Sequence, residues 1–188
     1  MSYQLSASFI PPRRKSKKMM NELLQPPVQA LEKQFGAQAV ERLDQVSLNI
    51  QPEHIVEVCR MLRDEFSFER LSAQTGVDYW PQQEPRFHVI YELHSISKSV
   101  RLELRVPVNS KDPCLPSIES IYPNANWHER EIWDMFGIRF EGHHDLRRIL
   151  MPEDWVGHPL RKDYPLGYEE VHFSFNPDIE RRKPLPKE

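Results

Sequence analysis

Two periods of apolar and polar residues run along this chain, and the switch between them marks out its elements. Val46, Leu48 and Ile50 alternate with polar neighbours and predict a strand. Ile55, Val58, Cys59, Leu62 and Phe66 then recur at helical spacing, one apolar stripe with polar residues opposite. Pro52 suits the first turn of that helix and Glu53 complements its dipole. Three strand-like runs follow. Leu71, Ala73, Thr75, Val77 and Tyr79 form the first, weakened by Gly76. Phe87, Val89, Tyr91 and Leu93 form the second, against His88, Glu92 and His94. Val100, Leu102, Leu104 and Val106 form the third, against Arg101, Glu103 and Arg105. Alternation of this kind means a sheet with one buried and one wet face. The connector Ile96-Ser97-Lys98-Ser99 predicts a hairpin between the last two runs.

At the ends of the chain the pattern weakens. Residues 1–25 are polar, basic and aperiodic, and are expected to be a disordered basic tail. A short helix is expected from Pro26, with Val28, Leu31 and Phe35 at near-helical spacing and Gly36 as its stop. From Pro107 prolines punctuate a loop with one helical turn near Ile118 to Ile121. After Gly137 come Pro152, Pro159, Pro165, Pro177, Pro184 and Pro186 without any long periodic segment. That stretch also carries Trp155, Tyr164, Tyr168, Phe173 and Phe175, whereas disordered tails are poor in aromatics. It therefore reads as an arm that orders against another protein. The expected fold class is α+β: a small, mostly antiparallel sheet with helices on one face over residues 26–142, followed by an extended Pro-rich C-terminal arm over residues 143–188.

Residues 126–137 predict a further helix, with Asn126 as cap, Glu129 at the capping-box position and Gly137 as terminator. Ile132, Met135, Phe136 and His128 share the face expected on the sheet. Arg130 and Asp134, spaced i and i+4, lie opposite with Trp127, and Glu131 flanks them. A solvated ion pair would account for the charges. Trp127 beside Arg130 favours an interface instead, because Trp and Arg dominate interface hot spots.

Bulk composition narrows the function. A net charge of −3 over 188 residues gives no basic field for nucleic acid. No apolar run is long enough to span a bilayer, and the basic N-terminal cluster is not followed by the apolar run of a secretory signal. Seventeen prolines, about twice the usual share of roughly 5%, fit long irregular segments. Cys59 and Cys114 give no disulfide framework, which fits a reducing compartment.

The segment Glu129-Arg130-Glu131-Ile132-Trp133-Asp134-Met135-Phe136-Gly137-Ile138 is followed by Phe140, Gly142-His143 and Asp145-Leu146-Arg147-Arg148-Ile149-Leu150. The pattern continues through Met151-Pro152-Glu153-Asp154-Trp155 and His158-Pro159-Leu160-Arg161-Lys162-Asp163-Tyr164-Pro165-Leu166. This resembles the signature of the C-type subunit of proton-pumping NADH:quinone oxidoreductases, respiratory complex I. His144 stands where many relatives have proline. The resemblance implies a peripheral-arm subunit on the cytoplasmic side of the cell membrane, reaching the membrane only through partners. It implies contact with the large D-type subunit of the quinone site and with the neighbouring iron–sulfur subunits. It further implies that flavin, iron–sulfur clusters and quinone sit in those partners, with no redox centre or catalytic residue here. The residues expected at the partner interface are Trp127, Glu129, Arg130, Glu131, Asp134, His143, Arg147, Arg148, Trp155, His158, Arg161, Lys162, Asp163 and Tyr164.

Four other readings can be weighed on the same residues. Two cysteines supply neither the four thiolates of an ordinary iron–sulfur cluster nor a Rieske set, and there is no G-x-G-x-x-G. A hydrolase could use Glu131 and Asp134 as acid and base with His143 or His158, but Arg130 is placed to neutralise Asp134 and no nucleophile elbow is present. A metal site from His143, His144 and His158 lacks any supporting ligand frame, and adjacent histidines in an irregular segment rarely converge. The equivalent subunit of a membrane-bound hydrogenase, or of an oxidoreductase with another donor, would share the architecture and differ in its input module.

Overall fold

The computed structural model describes the backbone of residues 17–42 and 45–165, with side chains from 22–40 and 45–165. Most of the expected basic tail, residues 1–16, and the arm beyond residue 165 lie outside that range. Helix α1 (Lys17–Phe35) leads into strands β1 (Gln38–Arg42) and β2 (Gln45–Asn49), and a 3-10 turn (Pro52–His54) precedes α2 (Ile55–Asp64). Then come β3 (Arg70–Asp78), β4 (Phe87–Ser95), β5 (Val100–Val108), β6 (Cys114–Pro116), α3 (Ala125–Phe136) and β7 (Arg139–Glu141). The main sheet has the order β1-β2-β5-β4-β3; its one parallel pair is β2–β5, so it is mixed but mostly antiparallel.

Strict alternation places β4 and β5 correctly. Phe87, Val89, Tyr91 and Leu93 are buried and face Val108, Val106, Leu104 and Leu102 across the pair. Ile55, Val58, Cys59 and Leu62 of α2 join them, with Leu24 and Leu31 of α1 and Ile132, Met135 and Phe136 of α3, in one core. Burial pushes the Cys59 thiol well up, as a packing role requires. The hairpin, the turn at Ile118–Ile121 and the end of α1 at Gly36 all form where expected.

Four expectations need correction. Helix α1 begins at Lys17 rather than Pro26, with both prolines inside it, because Leu24, Pro27 and Leu31 continue one buried stripe. Strand β1 has no counterpart among the expected elements; its one large apolar residue, Val40, is exposed, so an edge strand of this composition shows no alternation. A two-stranded parallel sheet, β6 with β7, occupies part of the expected loop. The alternation in β3 is also reversed. An irregularity in register between Leu71 and Ala73 moves Gln74, Gly76 and Asp78 to the core side and turns Ala73, Thr75 and Val77 outward. Gly76 is thus a point of close approach: a methyl group there would sit 2.8 Å from a ring carbon of Phe136 in α3.

The arm also departs from expectation. Its described part, residues 143–165, is irregular but does not extend away; it folds back on α3 and the β3–β4 connection of its own chain.

Because Phe136 rests directly on Gly76, the substitution Gly76→Ala is expected to cost about 1–3 kcal/mol through overpacking. It should lower the urea midpoint without changing the m-value. Phe136→Leu in the same chain should recover part of that loss. A Gly76→Ala chain as stable as its parent would remove the contact from the account of how α3 is seated.

Candidate functional site

The last four carbonyls of any α-helix lack partners within the helix. In α3 these belong to Trp133, Asp134, Met135 and Phe136, and the arm supplies most of what they need. Gly137, at φ +74°, donates its own N–H to Trp133 O at 2.8 Å. His158 Nδ1 meets Asp134 O at 2.9 Å, Leu160 N–H donates to Met135 O at 3.1 Å, and Arg161 Nε donates to Phe136 O at 2.5 Å. A cation at this end also opposes the negative pole of the helix dipole. Gly137 has to be glycine on two counts: its left-handed backbone, and the His158 ring lying 2.5 Å from where a Cβ would stand.

Asp134 holds the arm a second time through its side chain. One carboxylate oxygen accepts the backbone N–H groups of Ile149, Leu150 and Met151 at 3.1, 2.9 and 2.9 Å. The other pairs with Arg148 at 2.5 Å. Arg148 also donates to the carbonyls of Trp155 and Gly157, so one guanidinium ties three points together. Burial raises the Asp134 pKa, but the donors from Met151, Arg148, Leu150 and Ile149 outweigh it and hold the carboxyl below its ordinary range. Arg130 does not pair with Asp134 as its spacing suggests. It donates to the carbonyls of Arg147 and Arg148, both at 3.1 Å, so the two residues grip opposite polarities of one loop.

A second anchor lies at the end of β3. Arg86 is buried between Asp78 and Asp163, with oxygens at 2.8 and 2.6 Å, and Lys162 N–H donates to Asp78 Oδ2 at 2.9 Å. Burial raises the Asp78 pKa, yet Arg86 and the backbone donors bring it to about 2. Burial works against the Arg161 cation in the same way, lowering its pKa; its guanidinium lies over the Phe87 ring.

Glu129 is the third buried carboxyl group, and it is not a capping-box residue. Its oxygens accept from Ile118 N–H at 2.9 Å and Ser117 Oγ at 2.6 Å, pinning the turn after β6 to α3. Burial drives its pKa up to about 7, against the lowering effect of those hydrogen bonds. Nor does Asn126 cap the helix: its side chain donates to Glu119.

Of the residues expected at a partner surface, Glu129 and Asp134 are wholly buried inside this chain and offer none. Arg148, His158, Arg161 and Asp163 are spent on the clamp. Glu131, Arg147 and Lys162 are exposed, His143, Trp155 and Tyr164 half-buried, and Trp127 is 59% exposed beneath the Arg130 guanidinium, 5.2 Å from its ring. Asp78, Arg86, Ser117 and Glu119 escape a reading of the sequence, for their partners are distant along it. The exposed Leu150, Val156 and Leu160, 60%, 82% and 54% open, escape it because an irregular segment has no period to flag them. His158 lies on α3, away from the other two histidines; His143 and His144 do stack on each other.

The sequence model of the family described as "Respiratory-chain NADH dehydrogenase, 30 Kd subunit" matches residues 48–170. The C-type subunit of the NADH-quinone oxidoreductase of a Roseiflexus species (strain RS-1) is 53% identical over 146 residues, 76% of this chain and 83% of that protein. The same subunit of the Geobacter sulfurreducens enzyme is 45% identical over 122 residues, 65% of this chain and 75% of that one. Among solved structures, a trypsin-resistant fragment (1-134) of Nqo5 is 31% identical with a TM-score of 0.58, covering 68% of this chain and 99% of the fragment. A chain of an archaeal membrane-bound sulfane sulfur reductase shares the fold, at 21% identity and a TM-score of 0.62, covering 87% of this chain and 92% of that one.

Removing the Asp134 charge leaves Arg148 without its anion, so Asp134→Asn should cost about 3 kcal/mol. The same variant should be cleaved by trypsin after Arg147 and Arg148 under conditions that spare the parent. Unchanged stability and cleavage would mean that the clamp does not hold the arm.

Glu129 predicts a pH dependence of opposite sign to that of Asp78 and Asp134. Its folded pKa lies above its unfolded value near 4.5, so the folded state binds the extra proton. The stability associated with that proton is complete below about pH 4.5 and is lost as pH rises towards about 7. Urea melts of Glu129→Gln, compared with the parent across that window, should show the slope flattened. Parallel curves would refute the assignment.

Proposed function

This chain belongs to the respiratory-chain NADH dehydrogenase 30 Kd subunit family, and from that premise we propose that it is the non-redox scaffold of a quinone-reducing module. It is a subunit of an NADH-quinone oxidoreductase, an enzyme complex, as its relatives are. In the proposed role it binds the large quinone-site subunit and the neighbouring iron–sulfur subunits, on the side of the membrane where NADH is oxidised. Among the described residues no helix is long and apolar enough to cross a membrane. The proposed route to the bilayer is through those partners.

The observation that carries this reading is the combination of exposure and fixation in the arm. Leu150 and Val156 stand open to solvent on an irregular segment whose backbone is tied down by Asp134 and Arg148. An ordered segment that displays isolated large apolar side chains has the character of a prepared binding surface, because the ordering entropy is met before the partner arrives. Trp127, backed by Arg130, is the aromatic anchor such a surface favours. A related complex with another electron donor is the weaker reading. The fold is shared with a sulfane sulfur reductase chain at 21% identity, so fold does not separate donors. The relatives at 44–53% identity are named for NADH and quinone.

The test separates fixation from display. Leu150→Ser and Val156→Ser should leave the melting of the free chain nearly unchanged, while reducing its incorporation into the complex. Trp127→Ala should weaken binding by about 2 kcal/mol, as truncating a hot-spot aromatic does. Turnover per assembled complex should stay close to normal. Full incorporation with lost quinone reduction would move these residues from scaffold to mechanism.

A further inference from the structure

Away from the clamp, the first residues of the arm meet the turn that follows β6. One ring nitrogen each from His143 and His144 and one carboxylate oxygen of Glu119 lie within 4.8 Å of one another. His144 Nδ1 stands 2.6 Å from Glu119 Oε1. Asn126 Nδ2 donates to the same carboxylate at 3.0 Å, and the His144 N–H reaches it at 3.4 Å. The two imidazoles are nearly parallel, their planes 10° apart and their centroids 5.4 Å. His143 Nε2 faces the Asn126 carbonyl at 3.2 Å, so the proton belongs there and Nδ1 keeps its lone pair. That lone pair accepts the Asp145 N–H at 3.1 Å.

We propose that Glu119, His143 and His144 form a site for one divalent transition-metal ion of the zinc class, at the corner where the arm leaves β7. Two imidazoles and one carboxylate form the mixed nitrogen and oxygen set that zinc accepts, with a fourth position left for water. Calcium and magnesium, which take oxygen sets, are poorly served here. The Asn126 carbonyl on His143 Nε2 is the outer partner that orients a ligating imidazole and fixes its tautomer. The ion replaces the hydrogen between His144 Nδ1 and Glu119, and His143 Nδ1 exchanges the Asp145 N–H for the metal. Tetrahedral coordination at metal–ligand distances of about 2.0–2.2 Å sets the donors roughly 3.4 Å apart, so the 2.6 Å His144–Glu119 pair opens while the His143 nitrogen draws in. His144, 63% exposed at its side chain, has room to make that movement. Bound there, the ion cross-links the turn after β6 to the start of the arm, beside the first turn of α3.

The experiment uses the full chain without an added histidine tag, stripped by a chelator. Calorimetric titration with Zn²⁺ at neutral pH is expected to show one ion per chain and a raised melting temperature. Co²⁺ should give the visible absorption of a four-coordinate site. His144→Ala and Glu119→Gln should each lower affinity about tenfold or more, whereas His94→Ala, on the outer face of the sheet, should not. Melts of the metal-free variants report that they fold, and Glu119→Gln keeps the shape of the site where His144→Ala opens it. No binding, or binding equally tight in both variants, would overturn the site and leave a surface ion pair.

Discussion

Everything distinctive about this fold converges on the buried carboxylate of Asp134. An ionised group with no exposed surface is tolerable only when donors surround it, and here the donors come from a segment with no regular structure of its own. The irregular arm satisfies the helix, and the helix gives the arm a place to be. Neither half of that exchange can be judged from local sequence, since each supplies what the other lacks. Arg86 repeats the arrangement at β3, where one cation joins Asp78 of the sheet to Asp163 of the arm.

Much of the sheet is legible in the sequence because burial on one face imposes a period of two, and β4 and β5 obey it from end to end. The stripe in α2 is legible for the corresponding reason in a helix. In β3 the pattern misleads at one point. A single slip near Ser72 reverses every side chain after it, and no composition rule announces such a slip. The consequence is large, for that reversal delivers Asp78 and Gln74 to the interior and sets Gly76 beneath Phe136.

The clamp itself shows what a motif can and cannot say. Resemblance singles out its residues, and charged side chains in an irregular segment, which find no regular packing, point to a partner surface. The structure uses Arg148, His158, Arg161 and Asp163 internally, because exposed helix carbonyls and a buried aspartate demand donors wherever they can be found. Arg130 and Asp134 at i and i+4 look like a pair, yet each has a better partner in the arm. The apolar side chains left facing outward carry no periodic signature, so only the folded chain reveals them.

The joining of Arg86 to Asp163 spans seventy-seven residues of chain. A ribosome makes the main sheet, the three buried carboxyl groups of Asp78, Glu129 and Asp134, and the whole of α3 before it makes the residue that closes this anchor. Until then Arg86 has only Asp78, and the segment bearing Leu150 and Val156 is held by Asp134 and Arg148 alone. The outward apolar surface therefore comes into existence late, once nearly all of the described chain has emerged. A copy interrupted before Gly157 would still present Trp127, but not the fixed apolar pair of Leu150 and Val156.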